Sequence, residues 1–344
     1  MNKLKLSIIL ALIILMAGIE SRAANEECVN SVYTNEIITK TQAQFRPIAV
    51  MMPTDKDAQP SYGISNADIL YEIMEEGNIS RQMAIISDWT ELEKIGNIRS
   101  CRLYYIPQAT EWDAILIHFG GVVYMKDRIT CDDINNLSGT FEYGAGGDAP
   151  GASYFFRSVD KKAPHNAYIS GNNIVKASNE LGYSLNLRSE YYNEKHFTFS
   201  DTTNDLSQYG DEATNASSVN LSAIFPYTQS AFYYNEAEGV YYKTIHNNPQ
   251  IDGLTKTQIK FTNIIIQNTK WCYYPDNKYL YFQNIDDTET GYFITKGKCI
   301  PITWKKTSDY SPTVYYDTKG NEIQLNTGKT YIAIAQKGRV PTIE

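Results

Sequence analysis

The segment DAILIHFGG, from Asp113 to Gly121, constrains the fold more than any other part of this sequence. It is a continuous apolar run that ends in two glycines. Such a run is typical of a strand that is covered on both faces, because a strand exposed on one face alternates between apolar and polar residues. A strand covered in this way predicts an α/β arrangement, with helices packed against a sheet.

Neighbouring segments support the same interpretation. Arg46–Met52 is a β-rich apolar run, and residues 67–87 predict two strands around the pair Gly77-Asn78. A two-residue loop that begins with glycine suits a type II′ hairpin. Residues 168–183 carry apolar side chains at helical spacing, with Gly182 at the expected end of the helix. We therefore predict a layered α/β (α+β) amino-terminal domain over residues 45–198.

The composition changes after this domain. Residues 199–218 are polar and lack periodicity, which predicts a linker or long loop. Residues 219–344 contain short runs rich in Tyr, Thr, Ile and Val, separated by turn pairs such as Lys319-Gly320. This pattern predicts a β-rich carboxy-terminal domain. A chain of 344 residues is long enough for two domains of ordinary size.

The first 44 residues precede both domains. Lys3 and Lys5 come before an apolar run from Ile8 to Ile19, and small residues at 21 and 23 suit signal peptidase. We predict a cleaved signal peptide over 1–23 and an exposed leader over 24–44, with an uncleaved anchor as the alternative. The mature chain is then secreted or extracytoplasmic, without a membrane-spanning segment. The polar residues before Cys28 do not form a lipobox, which argues against a lipid anchor.

Charge and cysteine content exclude some classes of function. The net charge is −8 and no run of Lys or Arg occurs, whereas nucleic-acid binding needs a basic surface. No Cys/His spacing indicates a metal, so neither a metal nor a cofactor is predicted. Of the five cysteines, Cys272 and Cys299 are the pair we expect to form a disulfide, and free buried thiols are the alternative.

The predicted hairpin brings charged residues together. If Gly77-Asn78 is the turn, the numbers of facing residues sum to 155, and Arg81 has Glu72 and Glu76 as diagonal neighbours. One interpretation is an ordinary cross-strand charge pair. The other is a carboxylate with a raised pKa beside a cleft, available for general base catalysis.

Arg99 and Arg102 stand three residues apart, and two close guanidiniums need an anion nearby. Ser100 can cap the start of a helix, although Pro107 interrupts that helix or delays its start. In such a helix the two arginines would lie at the positive end, which is unfavourable unless an anion binds there. If the segment is a strand, the two side chains point to opposite faces. A third possibility is that one arginine pairs with Glu72 or Glu76 and the other is solvated.

Two further segments carry polar groups suited to ligand binding. His118 lies near the carboxyl end of the buried strand, where ligands bind in open α/β sheets, although a core histidine is the alternative. The segment FRSVDKKAPHNAYIS is a loop dense in hydrogen-bond donors, which suits a phosphate, carboxylate or sugar unless the loop is merely solvated. Its candidate ligand-binding residues are Arg157, Lys162, His165 and Asn166.

Taken in order, these segments resemble the YerB-like family of bacterial exported proteins. The resemblance rests on RPIAVMM, SNADILYEIMEEGNISR, IGNIRSCRLYYIPQATEWDAILIHFGG and FRSVDKKAPHNAYIS, and then on ITW and GNEIQLNTGKTYIAI. It implies an α/β domain followed by a β-rich domain, located outside the cell membrane. Many members of the family are lipoproteins. The family's motifs fall here on Glu72, Glu76, Arg81, Arg99, Ser100, Arg102, His118, Gly120, Gly121, Ala163, Pro164, His165 and Asn166.

Three hypotheses of function follow. The first is a cell-envelope protein that binds an anionic or carbohydrate ligand through Arg81, Arg99, Ser100, Arg102, His118, Arg157, Lys162, His165 and Asn166. The second is an envelope hydrolase or transferase acting on a phosphate- or carboxylate-bearing glycan, with Glu72 or Glu76 as general base and His118 as a further catalytic candidate. The third is a scaffold whose tyrosine-rich β domain binds a protein partner. No nucleophile motif is present, so catalysis stays an open question.

Overall fold

The computed structural model describes residues 26–140, 149–193, 195–276 and 278–344. The predicted signal peptide, residues 1–23, lies outside these ranges. Within them no helix is long and apolar enough to cross a bilayer. The described helices are α1 (Lys40–Gln44), α2 (Ile106–Thr110), α3 (Lys126–Ile129) and α4 (Gly171–Glu180), with 3-10 turns at Lys56–Ala58, Ile64–Asn66, Glu76–Asn78, Leu103–Tyr105, Val123–Met125, Ala152–Tyr154 and Ser207–Glu212.

Strands occur along the whole described chain. Those before residue 198 are β1 (Cys28–Asn30), β2 (Ile37–Thr39), β3 (Ile48–Pro53), β4 (Ile69–Met74), β5 (Ser80–Ile86), β6 (Ile95–Gly96), β7 (Ile115–His118), β8 (Asn136–Ser138), β9 (Phe156–Arg157) and β10 (Ala167–Ile169). Those after it are β11 (Thr198–Phe199), β12 (Thr214–Asn215), β13 (Ser218–Asn220), β14 (Ala231–Asn235), β15 (Val240–Ile245), β16 (Asn248–Pro249), β17 (Lys260–Phe261), β18 (Asn263–Thr269), β19 (Trp271–Tyr273), β20 (Leu280–Phe282), β21 (Asp286–Thr295), β22 (Lys298–Lys306), β23 (Val314–Tyr316), β24 (Gln324–Leu325), β25 (Thr330–Gln336) and β26 (Thr342–Ile343).

One central sheet contains strands from both ends of the chain. In the described residues it has eleven strands, in the order β12-β22-β21-β18-β25-β4-β5-β3-β7-β8, with β23 paired to β22. The junction is the parallel pairing of β4 with β25, in register from Ile69 opposite Thr330 to Ile73 opposite Ile334. Backbone hydrogen bonds therefore continue from the predicted amino-terminal domain into the predicted carboxy-terminal domain. We call these two parts of the chain the amino-terminal half and the carboxy-terminal half.

The strands near this junction form the core. Every residue of β3, β4, β5 and β25 is buried, which agrees with their near-continuous apolar sequences. The apolar run Asp113–Gly121 contains strand β7, and the four residues of that strand are all buried. Strands and helices are mixed in the amino-terminal half and strands dominate the carboxy-terminal half, as predicted.

A second sheet packs against the central one. It has six strands within the described chain, ordered β16-β15-β14-β13-β26 with β17 paired to β15. The ring of Phe232 on β14 lies 4.6 Å, centroid to centroid, from that of Tyr331 on β25. Apolar and aromatic side chains thus fill the space between the two sheets.

The hairpin β4–β5 forms, but its register differs from the prediction by one residue. Glu72 faces Gln82 and Met74 faces Ser80, so facing numbers sum to 154 and not 155. The loop has five residues, 75–79, closed by a hydrogen bond from Glu75 N–H to Ile79 O. Since side chains alternate along a strand, this shift moves Arg81 to the face opposite Glu72. The predicted contact between Arg81 and Glu72 is therefore wrong.

The predicted exposed leader and the predicted linker or loop both contain regular structure and buried residues. In the predicted leader 24–44, the paired strands β1 and β2 precede α1, and Tyr33 is buried against Trp112 with ring centroids 5.3 Å apart. The predicted linker 199–218 contains β12, a 3-10 turn and the buried residues Leu206 and Ala216. Both segments bury a few apolar side chains, which cannot be recognised from the average composition of the segment.

The predicted disulfide between Cys272 and Cys299 is absent. All five cysteines carry free thiols. Cys272 is exposed on the two-stranded sheet β19–β20, whereas Cys299 is buried on β22 of the central sheet. Their strands belong to different sheets. The sequence pattern predicted that both segments are strands but not which sheet each one joins.

Candidate functional site

The segment that carries Arg99 and Arg102 runs along the ends of two central strands. Arg99 N–H donates to Met51 O on β3 at 2.9 Å, and Phe119 N–H, just after β7, donates to Arg99 O at 3.0 Å. Ser100 does not cap a helix, because α2 begins only at Ile106 with Pro107 in its first turn. Proline thus delays the helix, one of the two alternatives the sequence left open.

Arg102 and Arg81 are neutralised by acids of the hairpin loop. Arg102 Nη2 lies 2.7 Å from Glu76 Oε2, and Arg81 Nη2 lies 2.9 Å from Glu75 Oε2. Ser100 connects the two arginines: its side-chain oxygen accepts from Arg81 Nη1 at 3.0 Å and from Arg102 Nη1 at 3.2 Å. For these two guanidiniums, the anion is a carboxylate of the protein itself.

Glu75 was missed in the sequence analysis, which considered Glu72 and Glu76 only. Burial raises the pKa of Glu75, and Arg102 and Arg81 oppose that effect. Although burial acts to lower the pKa of Arg102, the nearby charges of Glu75 and Glu76 raise it overall. The cluster of Arg81, Arg102, Glu75 and Glu76 therefore has balanced charge, although Glu75 Oε1 and Arg81 Nε are buried without a hydrogen-bond partner.

Arg99 is different. Its guanidinium makes no hydrogen bond or ion pair with the described residues, and its Nη1 atom is buried without a partner. Burial and the nearby charge of Arg81 lower the pKa of Arg99, while Asp55 acts to raise it. A buried guanidinium nitrogen without a partner is unfavourable. It is the strongest sign of a binding site in this region.

Three other residues beside Arg99 also have buried polar atoms without partners in the described chain. These atoms are Asp55 Oδ2, Gln59 Oε1 and His165 Nδ1. Burial lowers the pKa of His165; the charge of Asp55 acts to raise it and that of Arg99 to lower it. The charges of Arg99 and Asp55 act on His165, and Gln59 Nε2 donates to Asp55 O at 3.4 Å, so the four residues belong to one region. We call Arg99, His165, Asp55 and Gln59 the Arg99 site.

Asn97 fixes the geometry of the Arg99 site. Its side-chain amide donates to Ala58 O at 3.0 Å and to His165 O at 2.9 Å. One buried side chain therefore joins the loop after β3, which carries Asp55 and Gln59, to the loop that carries His165. Neither Asn97 nor Asp55 was among the predicted site residues, because each functions through contacts between segments far apart in sequence.

The remaining loop residues lie at the rim. Arg157 is exposed; its Nη1 donates to Asn166 Oδ1 at 2.6 Å, and its guanidinium carbon lies 5.0 Å from the ring centroid of Phe119. Lys162 is exposed, and its carbonyl accepts from His165 N–H. The structure thus brings Arg99 and His165 together and places Arg157, Lys162 and Asn166 on the neighbouring surface loop.

His118 is a core residue. It is fully buried, with Nδ1 2.8 Å from Gly120 O and Nε2 3.1 Å from Asn136 Oδ1. Burial lowers its pKa, so the ring is neutral near pH 7. Because the ring is buried and both of its nitrogens contact protein oxygens, the structure places His118 in the core, as in the alternative interpretation, and away from the Arg99 site.

Glu72 is also enclosed. Its carboxylate accepts hydrogen bonds from Ser80, Ser230, Gln82 and Tyr331 at 2.7–3.0 Å and pairs with Lys243 at 3.2 Å. Burial acts to raise the pKa of Glu72, but Lys243 and the hydrogen bonds lower it overall. A fully buried carboxylate with a lowered pKa does not serve as a general base for an external substrate. Glu76, the other candidate base, is paired with Arg102.

The donor set of the Arg99 site suits an organic ligand. No group of three or more His, Cys, Asp or Glu residues arranged to hold a metal occurs in the described ranges. A guanidinium recognises carboxylate or phosphate, and the mixture of donors and acceptors around it suits hydroxyl groups, which donate and accept at once.

Comparisons with known proteins agree with the fold. Residues 33–184 match the family model described as "Protein of unknown function (DUF3048) N-terminal domain", and residues 221–332 match the corresponding C-terminal domain. The chain is 36% identical over 140 residues to "Putative lipoprotein YerB" of Bacillus subtilis (strain 168), and this match spans 41% of the chain and 40% of that protein.

A solved structure extends the likeness over nearly the whole molecule. The crystal structure of YerB protein from Bacillus subtilis superposes with a TM-score of 0.74 at 22% identity, and the match covers 92% of this chain and 99% of that one. At this identity the likeness shows the fold alone. These matches confirm the resemblance to the YerB-like family, and the chain belongs to the DUF3048 family, with both of its domains present.

Proposed function

We propose that this protein is an extracytoplasmic binding protein of the cell envelope and that the Arg99 site holds an anionic or carbohydrate ligand. The observation that carries the proposal is the guanidinium of Arg99: its Nη1 atom is buried, and the group has no partner within the described chain. Burying part of a charged group without a partner is unfavourable. An anionic group of a ligand would offset that cost.

The neighbouring groups support a ligand that carries hydroxyls as well as charge. Asp55 and Gln59 present acceptors and His165 a ring nitrogen, all buried and without partners in the described residues. A bare phosphate or carboxylate would leave the two acceptors unsatisfied, whereas a sugar has hydroxyl donors for them. An anionic glycan therefore matches the site better than an inorganic anion.

The proposed location rests on separate observations. The first 23 residues have the pattern of a secretory signal, and the relative in Bacillus subtilis is described as a lipoprotein. Both favour a position outside the cytoplasm, where cell-wall glycans are the abundant anionic carbohydrates.

Isothermal titration calorimetry with soluble cell-wall fragments, prepared by lysozyme digestion, tests the function. We expect wild-type protein to bind and Arg99→Ala to bind at least about tenfold more weakly, since a charge-assisted hydrogen bond is worth roughly 1.5–3 kcal/mol. Arg339→Ala is the matched control, because that part-buried arginine donates only to backbone oxygens of residues 223 and 224. Equal affinity of wild type and Arg99→Ala would overturn the proposal.

A further inference from the structure

A cavity of about 240 Å³ lies beside the Arg99 site, where the two halves of the chain meet. Its walls come from both halves: Gln59 and Pro60 from the amino-terminal half, and Ile245, His246, Pro249 and Ile251 from the carboxy-terminal half. Nothing in the sequence indicated it, because residues 59–60 and 245–251 are nearly two hundred positions apart.

Gln59 links the cavity to the Arg99 site. Its side-chain amide donates to Pro53 O at 3.1 Å and to Asp55 O at 3.4 Å, while its Oε1 atom is buried without a partner. On the other wall, His246 Nε2 lies 2.7 Å from Thr54 O, the residue before Asp55. The short segment 54–60 therefore borders both the cavity and the Arg99 site.

The chemistry of the cavity differs from that of the Arg99 site. Pro60, Ile245, Pro249 and Ile251 form the apolar part of the wall, and Lys56, His246, Asn248 and Gln250 the polar part. Gln59, which also lines the cavity, has an acceptor, Oε1, that is buried without a partner. A water molecule in the liquid takes up about 30 Å³, so this volume holds a short acyl group with room to spare. An acylamino substituent would donate its N–H to Gln59 and bury its methyl end against the isoleucines and prolines.

We propose that the ligand is an N-acylated amino sugar that also carries a carboxylate. The carboxylate pairs with Arg99, the ring hydroxyls reach Asp55 and His165, and the acyl group enters the cavity. This inference rests on the proposed function and adds the ligand class to it. One ligand then contacts both halves of the chain.

Four commercially defined sugars test it by calorimetry. N-acetylmuramic acid carries both groups, N-acetylglucosamine lacks the carboxylate, muramic acid lacks the acetyl group, and glucosamine lacks both. We expect N-acetylmuramic acid to bind about tenfold more tightly than either sugar that lacks one group, as the loss of one good contact implies. Arg99→Gln should abolish the preference for the carboxylate and keep the preference for the acetyl group.

Two variants probe the cavity without changing charge. Ile251→Phe fills it and Gln59→Leu removes its acceptor; each should abolish the preference for the acetyl group and keep the preference for the carboxylate. Circular dichroism and thermal unfolding establish that each variant is folded. Muramic acid binding as tightly as N-acetylmuramic acid, or an acetyl preference that survives in both variants, overturns the inference. Arg99-dependent binding of cell-wall fragments in the same experiment would leave the proposed function standing.

Discussion

Glu72 Oε2 and Lys243 Nζ lie 3.2 Å apart, and neither side chain is exposed to solvent. The first residue belongs to β4 of the central sheet and the second to β15 of the other sheet, so this ion pair joins the two halves of the chain. Removing one partner of a buried pair leaves an uncompensated charge, whereas removing both leaves none.

We expect Lys243→Met to lower the free energy of unfolding by about 3–5 kcal/mol. Urea denaturation monitored by circular dichroism measures the change. The double variant Glu72→Gln/Lys243→Met should lose less than the sum of the two single variants. Strictly additive losses would show that the pair is not coupled.

Arg99 and Arg102 should have opposite effects on stability. Arg99→Gln removes a guanidinium without a partner in the described residues, so the ligand-free protein should gain about 1 kcal/mol. Arg102→Gln breaks the contacts with Glu75 and Glu76 and should cost about 3–5 kcal/mol. Urea unfolding of both variants measures the contrast. A loss of stability on Arg99→Gln would indicate that Arg99 has a structural function.

His196 should make stability depend on pH. Burial lowers its pKa from 6.5 to about 4, and its ring is stacked on Trp112. Because the unfolded chain takes up the proton below about pH 6.5 and the folded chain only near pH 4, stability falls as the pH decreases through this range and then levels off. The contribution amounts to about 3 kcal/mol, from 1.4 kcal/mol for each pKa unit.

Thermal unfolding between pH 7 and pH 4 measures this effect. His196→Gln keeps a side-chain donor and does not titrate, so its stability should fall less steeply than that of the wild type. His118, which is also buried, contributes equally to both proteins and cancels in the comparison. Identical slopes for the two proteins would refute the assignment.

The five free thiols should separate into two classes. Burial raises the pKa values of Cys101 and Cys299 to about 12, whereas Cys28, Cys131 and Cys272 are exposed. In a protein produced from residue 26 onward, we expect a thiol reagent such as Ellman's reagent to modify three cysteines under native conditions and all five in urea. Protection of Cys272 in the native protein would contradict its exposed position.

Local patterns in the sequence predicted the strands well and their partners poorly. The buried run at β7 and the hairpin β4–β5 were both identified from apolar pattern and turn residues. The register was wrong because Gly77-Asn78 was taken as a two-residue loop, whereas Glu75 and Ile79 close a longer one. Because of that single shift, Arg81 pairs with Glu75 and not with Glu72. The carboxylate with the raised pKa is therefore also Glu75.

The candidate site was only partly predictable for a related reason. Arg99 and His165 were identified from local clusters of donors, and the structure places them together. Asp55, Gln59 and Asn97 have ordinary sequence surroundings, and only the folded chain brings them to the same place. His118 is the opposite case. Its position at a strand end suggested a functional residue, but in the fold its ring nitrogens contact Gly120 O and Asn136 Oδ1.

The pairing of β4 with β25 has a consequence for how the protein is made. Residues 330–336 fill the middle of the central sheet, between strands that are synthesised long before them. Until residues 330–336 have been synthesised, β4 on one side and β18 on the other have open edges in the nascent polypeptide. Strand β25 is therefore the only link between β4 and β18 in the central sheet of the described chain, and a chain that stopped before residue 330 would leave the sheet as two parts with open edges.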